Sequence, residues 1–146
     1  YDFPTAREFN LFQDIPASQT LYDSGVALFN VPTRNVSEHL RTTVYEVDAF
    51  LKGRSSLAEY LRAEFAAYAK WKSPKPDFAW SKVIWDISAV AWLIEPKWVP
   101  SKVVPSPVLT AELTYRSQTD RHSVRVATGV NRDAIFNDLF QKIARG

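Results

Sequence analysis

Apolar residues recur every three or four positions in two stretches of the chain, and this spacing is typical of helices. The first stretch covers residues 36–53 and follows Asn35, which we expect to cap it. The second opens at a Ser-x-x-Glu capping box formed by Ser56 and Glu59. The apolar face expected for this second helix consists of Leu57, Tyr60, Leu61, Phe65 and Tyr68.

Three further helices are predicted from the signals at their ends. One begins at Asp14, which is followed closely by a proline, and ends at Gly25. A strongly apolar helix follows Asp86 and ends at Glu95, before a proline. The last helix is capped by Asn131 and carries regularly spaced apolar residues towards the end of the chain.

Short runs rich in β-branched residues predict the strands. Residues 26–31 are almost continuously apolar, as in a buried strand, whereas residues 124–128 alternate like a half-buried one. Residues 99–104 and 108–115 are strand-like but lie among prolines, which favours edge strands. Strands and helices therefore interleave along the chain, which indicates an α/β fold.

The composition narrows the possibilities further. The chain has 146 residues, of which 46% are hydrophobic, enough for a single domain over residues 1–146 but not for two. With 18 basic and 16 acidic residues, the charge gives no reason to expect a nucleic acid or a membrane surface as a partner. The absence of cysteine excludes disulfides, and no apolar run approaches the roughly 20 residues of a membrane span.

An acidic residue, Asp86, occupies the junction between a short β-branched run and the apolar helix. In α/β folds, polar groups at such a switch from strand to helix gather around ligands, so Asp86 is a candidate functional residue. Asp is also a favoured N-cap, and the local pattern alone allows that purely structural role equally well.

A second candidate pair, Glu8 and Asn10, lies near the start of the chain in a segment interrupted by proline and expected to be a loop over residues 1–12. Residues two apart in an extended segment point the same way, so this carboxylate and amide could grip one ligand together. The alternative is a solvated loop that is anchored by a buried Phe9.

These motifs together resemble the C-terminal part of the calcium-dependent nucleoside hydrolases, which cleave the N-glycosidic bond of ribonucleosides. The matching landmarks, which follow the family's order, are Glu8-Phe9-Asn10, Asp14, Ser24-Gly25-Val26 and Asp86 before Ala89-Val90-Ala91. The resemblance implies a mixed-sheet, Rossmann-like α/β fold. It also implies that Glu8 and Asn10 hydrogen-bond the ribose hydroxyls and that Asp86 is a Ca²⁺ ligand. The segment Asn35-Val36-Ser37 resembles the family's Asp-Val-Thr but departs from it at two of three positions.

The resemblance covers only part of a catalytic site. A calcium ion takes about 6–8 oxygen ligands, and this chain offers only Asp86 convincingly. The resemblance implies that an Asp-rich N-terminal loop supplies the general base and most of the metal ligands. Because the chain begins with Tyr1 and contains no Met, we expect it to be the C-terminal portion of a larger domain. Its missing N-terminal half is an expected partner, the chain alone is expected to be inactive, and a homo-oligomer is left open.

Trp85 is a further departure from many members of the family, which place a His before the metal-binding Asp to protonate the leaving base. An indole cannot act as this acid near neutral pH. A purine-preferring group carries Trp there, where stacking on the base is worth roughly 1–3 kcal/mol. Trp85 therefore favours purine ribonucleosides, or else an inactive relative that binds a sugar or nucleoside. A core Trp that fills the junction is the structural alternative.

The proline-rich connection between the second long helix and Trp85 contains three large aromatic residues, Trp71, Phe78 and Trp80. By resemblance they are candidates to cover the base, and anchoring of the loop by buried aromatic rings is the alternative. His39 and His122 lie outside the matching motifs and are expected at the surface.

Overall fold

The computed structural model describes residues 6–73 and 79–146. The helices in this part of the chain are α1 Phe9–Gln13, α2 Ile15–Asp23, α3 Val44–Leu51, α4 Ser56–Lys72, α5 Ile87–Ile94 and α6 Arg132–Arg145. The strands are β1 Phe29–Asn30, β2 Arg41–Thr43, β3 Ser81–Val83, β4 Ser101–Pro105, β5 Val108–Leu109, β6 Tyr115–Arg116 and β7 Ser123–Ala127. Short 3-10 turns cover Ser37–His39 and Pro96–Trp98.

The main sheet has three strands in the order β1-β7-β4. β1 runs parallel to β7, with Phe29 opposite Arg125, whereas β4 runs antiparallel to β7. In β7 the buried side chains of Val124 and Val126 alternate with exposed ones, as predicted for this segment. The mixed sheet confirms the α/β fold class that the sequence predicted.

The larger apolar core lies where α3, α4 and α6 meet. From α6, the side chains of Ile135, Phe136 and Phe140 are buried in it, and the ring of Phe140 stacks on Phe50 of α3 at 5.0 Å between centroids. None of the described helices is both long enough and apolar enough to span a membrane.

The two helices with the clearest end signals, α2 and α6, are confirmed. The Asp14 side chain accepts a hydrogen bond from Ala17 N at 2.9 Å, and Gly25 follows the helix with a φ of +76°. The Asn131 side chain likewise accepts from Ala134 N at 3.2 Å at the start of α6. The predictions of these two caps were correct because the capping side chain bonds to the backbone of its own helix, so no distant residue is involved.

The single helix predicted over residues 36–53 is wrong. Only Val44–Leu51 is α-helical, and the β-branched pair Thr42-Thr43 instead belongs to β2, which pairs with β3 across a long sequence separation. The Thr43 side chain then caps α3 by accepting from Glu46 N at 3.2 Å. Asn35 is not a helix cap, since it adopts a positive φ of 62° before the 3-10 turn.

The helix α4 is confirmed, but its cap and its buried face are not those predicted. Ser55, one residue earlier than expected, caps it by accepting from Ala58 N at 3.1 Å. The fully buried positions are the small residues Ala58 and Ala69, whereas Leu57 and Tyr60 of the predicted apolar face are exposed. The small residues let α4 pack closely, so most of its aromatic stripe faces outwards.

The strand predictions are confirmed in place but not in length. In the run 26–31 only Phe29–Asn30 is paired, and the run 108–115 is divided into β5 and β6 by a turn in which Leu113 has a φ of 56°. β4 is an edge strand of the main sheet, as its flanking prolines predicted. The expected loop over residues 1–12 is wrong in part, because Phe9–Gln13 is helical.

Arg132 at the start of α6 joins three elements through one guanidinium group. It donates to the Arg41 carbonyl oxygen at 2.8 and 3.1 Å and pairs with the Glu46 carboxylate of α3. Burial disfavours the charged form of Glu46, but hydrogen bonds from Arg132 and Thr42 outweigh this effect and lower its pKa. The pair therefore stabilises the fold only while Glu46 is ionised.

We expect Glu46→Gln to lower the free energy of unfolding at pH 7 by about 1–2 kcal/mol, because a charge-assisted hydrogen bond is lost. The lowered pKa means that this stabilisation is present above the ordinary carboxyl pKa and disappears as the pH falls through the lowered one. Urea unfolding of both proteins at pH 7 and pH 3 should show the difference shrinking in acid. The exposed Glu112→Gln serves as the control, and an equal loss at both pH values would contradict the assignment.

Candidate functional site

The segment that follows β1 contacts two of the regions that carry predicted site residues. On one side, Thr33 N donates to the Glu8 carboxylate at 3.2 Å. On the other, the hydroxyl of Ser37 lies 3.0 Å from that of Ser88, which is two residues after Asp86. Ligands of α/β folds bind outside the carboxyl ends of strands, so this end of β1 is the candidate site.

Glu8 is held in place from two directions. It precedes α1 with an extended backbone, and its carbonyl oxygen accepts from Phe12 N at 2.9 Å, while its side chain does not cap the helix. Burial raises the pKa of the Glu8 carboxyl, and the hydrogen bonds of Thr33 and the charge of Arg34 oppose this rise. The result is a fixed, partly desolvated acceptor beside the β1 loop.

Asn10 does not share the geometry expected for it. It lies inside α1, whereas Glu8 precedes the helix, so the two residues do not share the extended segment that suggested joint binding of one ligand. Its side chain is exposed. The alternative of a loop anchored by Phe9 is also wrong, because that ring is 77% exposed.

Asp86 occupies the N-cap position of α5 but does not act as a cap. Its backbone is helical, with φ −84° and ψ −13°, and its side chain makes no capping hydrogen bond. The purely structural alternative for Asp86 is therefore wrong. The carboxylate is exposed at the start of the helix and is available to a ligand on that side.

Two buried hydroxyl groups position Asp86 relative to the β1 loop. Ser88 Oγ donates to the Trp85 carbonyl oxygen at 3.0 Å, which uses its one hydrogen. Ser37 is therefore the donor in the contact with Ser88. Sequence reasoning missed both residues, although Ser37 ends the Asn-Val-Ser segment that resembled a family motif.

Trp85 lies beside Asp86 and is 42% exposed, so it is not the core residue that the structural alternative required. Trp85 and Asp86 are thus consecutive exposed residues immediately before α5. The structure brings Glu8 to the loop after β1 and joins the start of α5 to that loop.

The three aromatic residues that were predicted to cover the leaving base have different environments. Trp71 is largely exposed at the end of α4, with the Lys72 ammonium 4.0 Å from its ring centroid. Trp80 is half-buried, and its ring lies 5.6 Å from that of Phe65. Phe78 lies outside the described residues.

The two histidines also differ. His39 is exposed, as expected, but His122 is half-buried, and its Nε2 has no hydrogen-bond partner among the described residues. The expectation of a surface position for His122 was therefore wrong. His122 follows a polar turn and directly precedes β7. The polar residues around it suggested an exposed position, so its partial burial was not predicted.

The predicted calcium site cannot be assembled from this part of the chain. Within residues 6–73 and 79–146, no group of three or more His, Asp or Glu side chains could hold a metal ion. Calcium needs about 6–8 oxygen ligands, so the described residues do not fit a complete site. Asp86 could contribute one carboxylate to such a site.

The sequence matches no protein-family model, and no curated protein is significantly similar to it. Solved structures do match the fold. A plant nucleoside hydrolase superposes with a TM-score of 0.79 and 18% identity, over 97% of this chain and 48% of its own. This chain therefore shares its fold with about half of that nucleoside hydrolase.

Two bacterial structures match in the same way. A purine-preferring ribonucleoside hydrolase from Gardnerella vaginalis has a TM-score of 0.74 and 17% identity, over 94% of this chain and 46% of its own. An inosine-uridine preferring nucleoside hydrolase from Bacillus anthracis has a TM-score of 0.62 and 17% identity, over 96% of this chain and 43% of its own. The chain thus spans about half the length of these solved structures.

The environment of Glu8 predicts a pH effect on stability. Because its pKa is raised in the folded state, the free energy of unfolding should decline as the pH rises from the ordinary carboxyl pKa through the raised one. Glu8→Gln lacks this titration, so it should gain stability relative to the parent protein between pH 4 and pH 7. Urea unfolding across this range measures the effect, with the exposed Glu64→Gln as control. Parallel curves for parent and Glu8→Gln would disprove the burial effect.

Proposed function

We propose that the intact protein hydrolyses the N-glycosidic bond of purine ribonucleosides and releases ribose and free base. The observation that carries this proposal is the superposition of almost the whole chain on nucleoside hydrolases, a purine-preferring one among them. A fold alone does not specify chemistry. The proposal therefore also depends on Glu8, which accepts from Thr33 N in the segment after β1, and on Asp86, two residues before Ser88, which contacts Ser37 of the same segment.

In this proposal Glu8 and Asn10 bind the ribose hydroxyls. The Glu8 carboxylate is an acceptor that Thr33 N already orients, so it binds a sugar hydroxyl with little further ordering. Cleavage of a glycosidic bond passes through a state with positive charge on the sugar, and a nearby carboxylate stabilises that charge. Asn10 is proposed to add an amide from the first turn of α1, where its side chain is exposed.

Asp86 is proposed as one ligand of a Ca²⁺ ion. When bound, such an ion lowers the pKa of a coordinated water and so supplies a nucleophile. The other ligands and the general base are proposed to come from the remainder of the intact protein, since the described residues contain no complete site. The isolated 146-residue chain is accordingly expected to be inactive.

Trp85 is proposed to stack on the leaving base. Its partly exposed indole is adjacent to Asp86, and a purine presents a larger face for stacking than a pyrimidine does. A purine can also accept a proton on its own ring nitrogen, so the missing acid at this position matters less for purines. Both effects favour inosine and guanosine over uridine.

Asp86→Asn tests the proposed metal ligand in the intact protein. With calcium present, we expect release of hypoxanthine from inosine to fall at least about a hundredfold, because the charged ligand is lost. The urea midpoint of the isolated 146-residue chain should stay unchanged, since Asp86 is exposed there and its side chain caps nothing. Asp120→Asn, in an exposed turn, is the matched control. If the intact parent protein shows no saturable hydrolysis of inosine, guanosine or uridine, the proposed activity is wrong.

Trp85→Ala tests the base contact. Loss of a stacking interaction of roughly 1–3 kcal/mol should raise KM for inosine by about tenfold to a hundredfold. The rise for uridine should be smaller, because its single ring overlaps less with the indole. Steady-state kinetics on both substrates decides this, with the exposed Tyr45→Ala as control. Equal changes for both substrates would argue against stacking.

A second candidate function is a catalytically inactive relative that binds a sugar or nucleoside. The observation that favours it is Trp85, which cannot donate the proton that a leaving base requires. Calorimetric titration of the intact protein with ribose and inosine separates the two functions. Saturable binding without release of base, or without dependence on calcium, would favour the binding protein.

A further inference from the structure

A cavity of about 310 Å³ lies between the last turns of α3 and α6. We call it the α3–α6 cavity, and its lining residues are Phe50, Arg54, Phe140, Gln141, Ala144 and Arg145. Binding sites for small molecules have volumes of about 300–1,000 Å³ and combine apolar walls with a few polar groups. The α3–α6 cavity meets both conditions, with three apolar and three polar side chains around it.

The packing of α3 on α6 forms this cavity. An ion pair joins the first turns of the two helices, and the rings of Phe50 and Phe140 stack at 5.0 Å further along, so the helices run in the same direction. Their ends therefore lie on the same side of the fold. Ser55 fixes the end of α6 against the start of α4, because its hydroxyl caps α4 and also donates to the Ile143 carbonyl oxygen at 2.7 Å.

Two arginines, Arg54 and Arg145, line the cavity without an anionic partner. Within residues 6–73 and 79–146, neither guanidinium group takes part in a hydrogen bond or an ion pair. Two cations that share one cavity repel each other, so the cavity favours a bound anion. Arginine is particularly suited to phosphate, because its planar guanidinium group can donate two parallel hydrogen bonds to the phosphate oxygens.

The neighbouring acidic residues do not balance this positive charge. Asp48 and Glu59, the acids on either side of the first arginine in the sequence, both pair with Arg62. Asp138, the acid that precedes the second arginine in α6, pairs with a lysine one turn later. These carboxylates are therefore engaged with other cations, and an anion bound from solution would complete the charge balance of the cavity.

Phe50 gives the cavity an apolar wall beside the arginines. Its ring stacks on that of Phe140, which is buried, yet 43% of the surface of Phe50 remains exposed. Aromatic rings that pack against each other gain about 0.5–1.5 kcal/mol beyond the burial of their area. A ligand with a planar ring therefore gains a contact at Phe50 that an inorganic anion cannot make.

We propose that the α3–α6 cavity binds a small phosphate ester that carries a planar ring. Arg54 and Arg145 bind the phosphate group, and the exposed part of Phe50 contacts the ring. These groups come from residues up to 91 positions apart in the sequence, and the packing of α3 on α6 brings them to one cavity. The inference goes beyond the proposed function and does not rest on it, because no lining residue is assigned to the hydrolysis of nucleosides.

Phenyl phosphate is the probe, because it combines a ring with a phosphate and contains no nucleoside that the candidate site could bind. Its titration into the intact protein is followed by ¹H–¹⁵N NMR. We expect saturable shifts in residues 50–54 and 141–145, with an affinity at least about fivefold higher than that of inorganic phosphate. Phenol, which lacks the anion, should cause no saturable shift there. Equal affinity for phenyl phosphate and inorganic phosphate overturns the proposal, as does an absence of shifts in these two ranges.

Arginine variants locate the contact with the phosphate. Arg54→Gln and Arg145→Gln should each weaken the binding of phenyl phosphate about threefold or more, because an ion pair at an exposed site is lost. Arg116→Gln, which is also exposed but lies on β6, is the matched control and should leave the affinity unchanged. If the variants at the cavity lower the urea midpoint but bind phenyl phosphate like the parent protein, the arginines only stabilise the helix ends, and the proposal is overturned.

Phe50→Leu tests the contact with the ring. It keeps an apolar side chain against Phe140, and it should weaken the binding of phenyl phosphate about threefold without changing that of inorganic phosphate. Equal weakening of both ligands would contradict a ring contact at Phe50 and overturn the proposal. Hydrolysis of inosine by the intact protein, or its absence, affects neither result, so the two proposals can fail separately.

Discussion

The candidate site depends on one buried contact between two hydroxyl groups. Ser37 donates to Ser88 at 3.0 Å, and Ser88 in turn donates to the carbonyl oxygen of Trp85. This chain of hydrogen bonds fixes the start of α5 against the segment after β1, and Thr33 of the same segment holds Glu8. Two carboxylates that are 78 residues apart in the sequence are thereby assigned to the same end of β1.

Sequence reasoning succeeded where the signal was local. Asp14 and Asn131 cap their own helices, so each pattern contains all the groups that the interaction needs. It failed where a distant partner decides the outcome. Thr42 is in a strand because β3, about forty residues later, pairs with it. The buried face of α4 is set by the close approach of its neighbours, which its own periodicity does not reveal.

The same distinction applies to the site. Asp86 could be identified because it lies between a strand pattern and a helix pattern, and both patterns are visible in neighbouring residues of the sequence. Asn10 was expected to point with Glu8 only because a loop was expected there, and one turn of helix removes that geometry. The contact between Ser37 and Ser88 could not be predicted. One serine lies in a turn and the other in an apolar helix, and neither local sequence indicates which distant residue it contacts.

The exposed outer face of α5 carries the apolar side chains of Val90, Leu93 and Ile94 next to Asp86, the proposed metal ligand. Burying a Val, Leu or Ile side chain contributes about 1.5–3 kcal/mol, so three such residues on one helix provide a substantial driving force for association. The face they form begins at Asp86, an acid that caps nothing and is poorly suited to an apolar contact unless a cation or hydrogen-bond donors meet it there. An exposed apolar face and an exposed carboxylate therefore share one side of α5, and the apolar residues there offer Asp86 no hydrogen-bond donor.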